Sequence, residues 1–248
     1  GVGLGSDPGD YAAGLVERGA WTLTPDIWFK LLYKMLYLEF EGVLVGGEVD
    51  NVSDDDQNPQ PVDILQFGWV MRSQVRLLRN ALKIGLEVGM ASGDEAEPAN
   101  SDFNRRRIYP LTDVNAERTP DLHEFRFDYD YHVDLILFRE LIGTVANATY
   151  FKPSIQYDLL DTFGGRLDII YSLANLPVAF PGNSTSLGLE FDLDLYYRNV
   201  EEGFYAGVQY GLLIPFGALD RPAEIYGDDY GKDAEVAQTL QARLIVKF

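Results

Sequence analysis

The chain has 248 residues and carries 20 Lys and Arg against 39 Asp and Glu, a formal charge of −19. An apolar share of 46% excludes a disordered chain, and the acidity argues against a nucleic-acid partner. With no Cys and only His123 and His132, disulfides, zinc-thiolate sites, thiol catalysis and a three-His metal site are excluded.

The opening Gly1-Val2-Gly3-Leu4-Gly5 has neither the basic nor the apolar region of a signal peptide. That leaves a cytoplasmic chain or a mature or trimmed form. No stretch reads as a transmembrane helix, because the uncharged run 169–189 contains Pro177, Pro181 and Gly182. What runs through the chain instead is a two-residue period. It is weak over 11–18. Ile27, Phe29, Leu31 and Tyr33 then oppose Trp28 and Lys30, and Leu36, Leu38, Phe40 and Leu44 alternate with Tyr37, Glu39, Glu41 and Val43. The pattern returns over 65–77, 82–90, 151–159 and 167–173. It is strictest over 187–198, where Leu187, Leu189, Phe191, Leu193, Leu195 and Tyr197 face away from Glu190, Asp192, Asp194 and Arg198. It continues over 204–214 and 240–248.

Soluble sandwich strands average roughly five or six residues. Strands of about nine to eleven residues with one clean apolar face are of the length that crosses a bilayer when tilted. The connections alternate as well. Short ones fall at 79–81, 161–165 and 199–203, and long polar ones at 51–62, 92–143, 175–186 and 218–234. Short turns on one side and long loops on the other predict an all-β, antiparallel, up-and-down transmembrane β-barrel of about ten strands, with short periplasmic turns and long extracellular loops. The expectation is one barrel domain over 1–248, with 92–143 an extracellular or inward-folded loop. The alternating run 125–135 within that loop is not read as a wall strand, because a strand there would reverse the direction of every later one. The stretch 135–142 allows a helical turn.

Counting back by two from Phe248 gives Val246, Leu244, Ala242 and Leu240. This resembles the C-terminal assembly signal of bacterial outer-membrane proteins, with Leu244, Val246 and Phe248 as its key positions. The stretches Pro25-Asp26-Ile27-Trp28-Phe29-Lys30-Leu31, Leu38-Glu39-Phe40-Glu41-Gly42 and 127–139 resemble the alginate-export-type porin superfamily, in particular a branch of outer-membrane proteins from myxobacteria and their relatives. The resemblance covers residues 20–175 and the last strand. It implies a location in the bacterial outer membrane, with membrane lipid, lipopolysaccharide and the barrel-assembly machinery as partners. Barrels of that superfamily have about eighteen strands, within the range known for outer-membrane barrels. The chain is then either the C-terminal part of a larger barrel or a smaller closed one.

By parity, the lumen side carries Lys30, Glu39, Glu41, Arg72, Arg76, Lys83, Glu87, Lys152, Asp158, Arg166, Asp168, Glu190, Asp192, Asp194, Arg198, Arg243 and Lys247. In a narrow barrel these charges pair and fill the interior, whereas in a wider one they line an aqueous channel. Arg105, Arg106 and Arg107 are constriction candidates, with lipopolysaccharide phosphates or plain solvent as alternative surroundings. Acids crowd three long loops, at Asp50 and Asp54–56, at Asp94, Glu95 and Glu97, and at Asp220, Glu224, Asp228 and Asp229. They read as solvated loops, since their spacing matches no EF-hand. Tyr33, Phe40, Tyr157, Tyr197, Phe204 and Phe248 fall near the short turns, where an aromatic girdle belongs. Asp130 and Asp134 flank His132, but no Ser pairs with it and no G-x-S-x-G, P-loop or H-E-x-x-H occurs, so no enzyme, cofactor or metal is expected. Two functions follow. One is a porin-like channel for small polar or anionic solutes or a polysaccharide. The other is a plugged structural or adhesive barrel whose extracellular loops bind a partner.

Overall fold

The computed structural model describes residues 19–51, 61–94, 121–199 and 201–246. Ten strands form one antiparallel sheet: β1 (Ala20–Leu23), β2 (Asp26–Tyr33), β3 (Leu36–Val49), β4 (Val62–Leu77), β5 (Leu82–Ala91), β6 (Ala148–Asp158), β7 (Phe163–Ala174), β8 (Ser186–Asn199), β9 (Phe204–Pro215) and β10 (Ala237–Val246). From β3 to β10 every strand pairs with its sequence neighbours. β1 and β2 lie end to end on the same edge of β3, β1 along 46–49 and β2 along 36–43. They follow a single line along that edge, interrupted at Thr24-Pro25, where proline removes a ladder donor. The alternating segments thus become the strands expected of them. β1 was not foreseen, and the weak 11–18 segment lies outside the described residues.

Period two makes the sheet two-faced. The apolar sets of β3–β9 project to one face, where Leu65, Ile84, Ile155, Leu193 and Val208 are exposed; Leu187, expected among them, is instead buried in the core beside a bulge in the β7–β8 pairing. The polar sets share the other face, and on β6–β8 they are buried, as at Tyr150, Lys152, Asp168, Glu190 and Asp192. An ordinary soluble sheet buries its apolar face; here the burial is inverted. The short turns are tight enough to force left-handed backbone on Lys34 (φ 52°) and on Leu78, Arg79 and Asn80 (φ 49°, 58° and 74°). At Pro153, which lacks an N–H, the β6–β7 ladder is broken between Phe151↔Tyr171 and Ser154↔Asp168 and then resumes in the same register.

The two ends of the sheet are β1/β2 and β10, and no pairing joins them among the described residues. Every residue of β2 is exposed, and on β10 Leu240 and Leu244 are 73% and 67% exposed. Among the described residues, no helix is long and apolar enough to cross a membrane.

Candidate functional site

The polar face is organised as rows running across the strands. In one row the directly opposed residues are Lys30↔Glu39, Glu39↔Arg72, Arg72↔Glu87 and Glu87↔Lys152, so the charge alternates over five consecutive strands. Arg72 reaches both neighbours, Glu39 at 3.5 Å and Glu87 at 3.2 Å. Tyr37 and Trp28 donate to the Glu39 carboxylate. The row ends at Lys152, 3.4 Å from Asp168, which also takes Arg166 at 2.7 Å. Nearer the short turns, Asp158 gathers Lys83 at 3.2 Å, Arg198 at 3.3 Å and the Tyr196 hydroxyl at 2.5 Å. Opposed charges of this kind stabilise a sheet by roughly 0.2–1 kcal/mol per pair.

Residues 121–147 lie over the long-loop half of this face. Hydrogen bonds stitch the start of the segment to the sheet: Leu122 N–H donates to Asp63 C=O at 2.8 Å, Ser92 Oγ to His123 C=O at 2.5 Å, and Phe125 N–H to Ser92 C=O at 3.1 Å. Its middle is held by the ionic side chains of the sheet. The Tyr131 hydroxyl donates to Glu87 at 2.9 Å, beside Tyr150, which donates to the same carboxylate at 2.7 Å. The Arg72 guanidinium lies 4.9 Å from the centre of the Tyr131 ring. Lys152 donates to the Val133 carbonyl at 2.5 Å. Glu190 accepts from the main-chain N–H groups of Leu135 and Leu137, both at 3.0 Å, and Asp192 accepts from Leu135 at 3.1 Å. Buried charges need such donors, and Glu190 is only 1% exposed.

Asp134 caps the next turn, accepting from Phe138 N–H at 3.0 Å and Arg139 N–H at 3.1 Å. That turn, Leu137–Ile142, is π-helical, closed by Leu141 N–H donating to Ile136 C=O. Leu137 and Phe138 enter an apolar core shared with Val133, Tyr150, Ile170, Leu187 and Leu213. Burial, followed by the charge of Glu190, pushes the Asp134 carboxyl up to about 7, although its two main-chain donors and Lys152 oppose the shift. Burial and then Glu87 raise the Tyr131 hydroxyl, so it stays a donor.

Two glycines make room for rings, Gly89 for Tyr150 on β6 and Gly68 for Phe125 of the cover. A Cβ on Gly89 would overlap the Tyr150 ring opposite it, and one on Gly68 would overlap the Phe125 ring. Glycine inside a strand marks a close approach of this kind. That was the available signal for the seats of Phe125 and Tyr150, and parity alone did not use it.

Apart from Lys247, which lies outside the described residues, the expected lumen residues lie on the one polar face, but in different surroundings. Lys152, Asp168, Glu190 and Asp192 are buried, beneath or beside the covering segment. Glu39, Arg72, Glu87, Lys83, Asp158, Arg166 and Arg198 form the paired rows. Asp194 lies opposite Arg166 and beside Gln209. Arg76 bonds Gln74 at 3.1 Å, Lys30 sits over the Tyr37 ring, and Glu41 and Arg243 are exposed. Residues 121–136 form no strand, only isolated bridges such as Arg126↔Ala146, which agrees with leaving 125–135 out of the wall. The acidic partner Asp134 is occupied in capping, while His132 is exposed. Among the described residues, no group of three His, Asp or Glu is arranged to hold a metal ion.

Of the proposed assembly positions, Leu244 and Val246 lie on β10 with exposed side chains. Tyr33, Tyr157 and Tyr197 lie exposed close to the short turns, with Tyr197 packed edge-on against Phe204 at 5.9 Å. The constriction candidates Arg105, Arg106 and Arg107, along with Phe248, Lys247, Asp54–56, Glu95 and Glu97, lie outside the described residues. No family model matches the chain, and a search of curated proteins gives no match.

Proposed function

We propose that this sheet is the wall of a bacterial outer-membrane β-barrel, and that the barrel acts as a restricted, porin-like channel with residues 121–147 as its inner constriction. The observation that carries the reading is the inverted burial: long strands expose an apolar face and direct paired charges to the other. In water that arrangement wastes the apolar surface, whereas in lipid it is the required one. Lipid also forbids the free edges at β2 and β10, since each unpaired backbone group there costs several kcal/mol. On this reading the edges are closed, against each other or against further strands, as the resemblance to alginate-export-type porins implies.

The rows near the short turns offer a charged path for small polar or anionic solutes. At the other end the covering segment narrows that path. A second reading rests on a specific observation, the apolar packing of Leu137 and Phe138 against Ile170, Leu187 and Leu213. Packing of that kind suits a permanent plug, with the loops left to bind a partner.

Single-channel recording of the refolded chain in a planar bilayer separates the two. A small, steady conductance with a defined K⁺/Cl⁻ reversal potential supports the channel. A heat-modifiable, folded barrel that stays silent favours the plug. A chain that refuses to enter lipid vesicles at all would remove the barrel reading itself.

A further inference from the structure

A cavity of about 660 Å³ opens at the long-loop end, beside the covering segment and away from the charge rows. Its size falls within the range of sites that enclose small organic molecules. Ile142, Phe180, Leu213 and Leu219 supply an apolar floor, and Leu141 stands half-exposed at its edge.

Hydrogen bonds donated by main-chain N–H groups hold the walls. Gly182 N–H donates to Ala218 C=O at 3.0 Å, Arg221 and Lys232 exchange both main-chain bonds at 2.8 Å, and Ala234 N–H donates to Asp220 at 2.7 Å. The cavity is therefore preformed, and binding there costs little reordering.

The charges at its rim are unequal. Arg126 is tied to Glu124 at 2.6 Å, and Glu235 to Lys232 at 2.9 Å. Arg221 makes no ion pair among the described residues, and its side chain is exposed at the rim. An apolar floor beside one uncompensated guanidinium is complementary to a molecule with an apolar body and one carboxylate.

We propose that this cavity binds a small amphiphilic carboxylate, with its hydrocarbon body on the Ile142–Phe180–Leu213–Leu219 floor and its carboxylate on Arg221. The site goes beyond the channel reading and does not depend on it, because it exists whether or not the lumen conducts.

The test uses the full chain, refolded and held in amphipol. Naphthoate is titrated by calorimetry, with neutral naphthol and a naphthylmethylammonium cation as comparators. Naphthoate is expected to bind saturably and more tightly than either comparator. Arg221→Gln is expected to weaken it about tenfold, the loss of one charge-assisted contact, and Arg221→Lys to restore much of the affinity. Leu141→Glu, another exposed position, is expected to weaken naphthoate but not the cation. Equal binding of all three probes would overturn the proposal. So would an absence of saturable naphthoate binding by a folded, heat-modifiable chain, or indifference to both Arg221→Gln and Leu141→Glu. Since no bilayer or current enters the measurement, its failure is distinct from a failure of the channel.

Discussion

Glu190 grips the main chain of the covering segment with both carboxylate oxygens, Oε2 accepting from Leu137 N–H at 3.0 Å while Oε1 accepts from Leu135 N–H. One wall side chain thus satisfies two successive inward-facing amides where no water reaches. Glu190→Ala is expected to leave the Leu137 amide orphaned, with Asp192 still serving Leu135, at a cost of about 1–3 kcal/mol. Hydrogen exchange should show lost protection over 133–138, and conductance should rise if the segment is the constriction. Unchanged exchange at Leu137 would contradict the role assigned to Glu190.

Lys152 couples two layers, reaching the Val133 carbonyl above it and Asp168 beside it. Lys152→Met should cost about 1–3 kcal/mol, because it unpairs a buried carbonyl. It also leaves Glu190, Asp192 and Asp134 without their nearest buried cation. Urea titration of the refolded protein would measure the loss. Full stability in the variant would mean that the ammonium contributes nothing there.

The attachment of the segment should depend on pH through Asp134. Its folded-state pKa of about 7 lies above the ordinary carboxylate value of about 3.9. The covered state therefore binds the proton more tightly than an open or unfolded one. Its contribution is complete below about pH 4 and is lost as pH rises through about 7. The groups facing Asp134 are Glu190, which raises the value, the neighbouring Asp192 carboxyl, and Lys152 with the Phe138 and Arg139 amides, which lower it. Exchange at Phe138 and Arg139, corrected for intrinsic rates, should quicken between pH 5 and pH 8. Asp134→Asn should flatten that dependence, and an equally steep profile in the variant would locate the proton elsewhere.

Gly89 and Gly46 form a matched pair for testing the close approach of Tyr150. A side chain at Gly89 meets the Tyr150 ring, whereas at Gly46 a Cβ meets nothing within 4 Å. Gly89→Val should destabilise by about 1–3 kcal/mol, and Gly46→Val should be near neutral. Denaturant midpoints of the two variants, measured side by side, would decide it. Equal effects would mean that Tyr150 moves freely.

The lipid-facing assignment has its own test at Leu193, mid-strand on the open face of β8. On the outer-membrane reading, Leu193→Arg should cost about 2–4 kcal/mol of stability in vesicles. A soluble fold would tolerate an Arg at this exposed position. Refolding yield and urea midpoints in vesicles distinguish the two.

The sequence alone determined the strands from β2 to β10 and, Leu187 apart, their faces. Alternation such as that from Leu189 to Arg198 leaves one register in which the charges of neighbouring strands share a face, and the antiparallel path follows from the alternating short and long connections. Those signals are local, so they can be read along the chain. What covers the polar face is not local. Phe125, Phe127 and Tyr131 carry the same two-residue period as a wall strand, yet they lie over the wall and form no strand. Their place was decided by partners far along the chain: Glu87 for Tyr131, Lys152 for Val133, and Glu190 for Leu135. The tertiary structure also decided which charges pair. Parity put Glu39, Arg72 and Glu87 on one face, but only the strand register set them opposite one another, and only the folded-over segment buried Glu190 while Glu41 stayed exposed. Burial depends on what a distant segment does, and no spacing along a single strand encodes that.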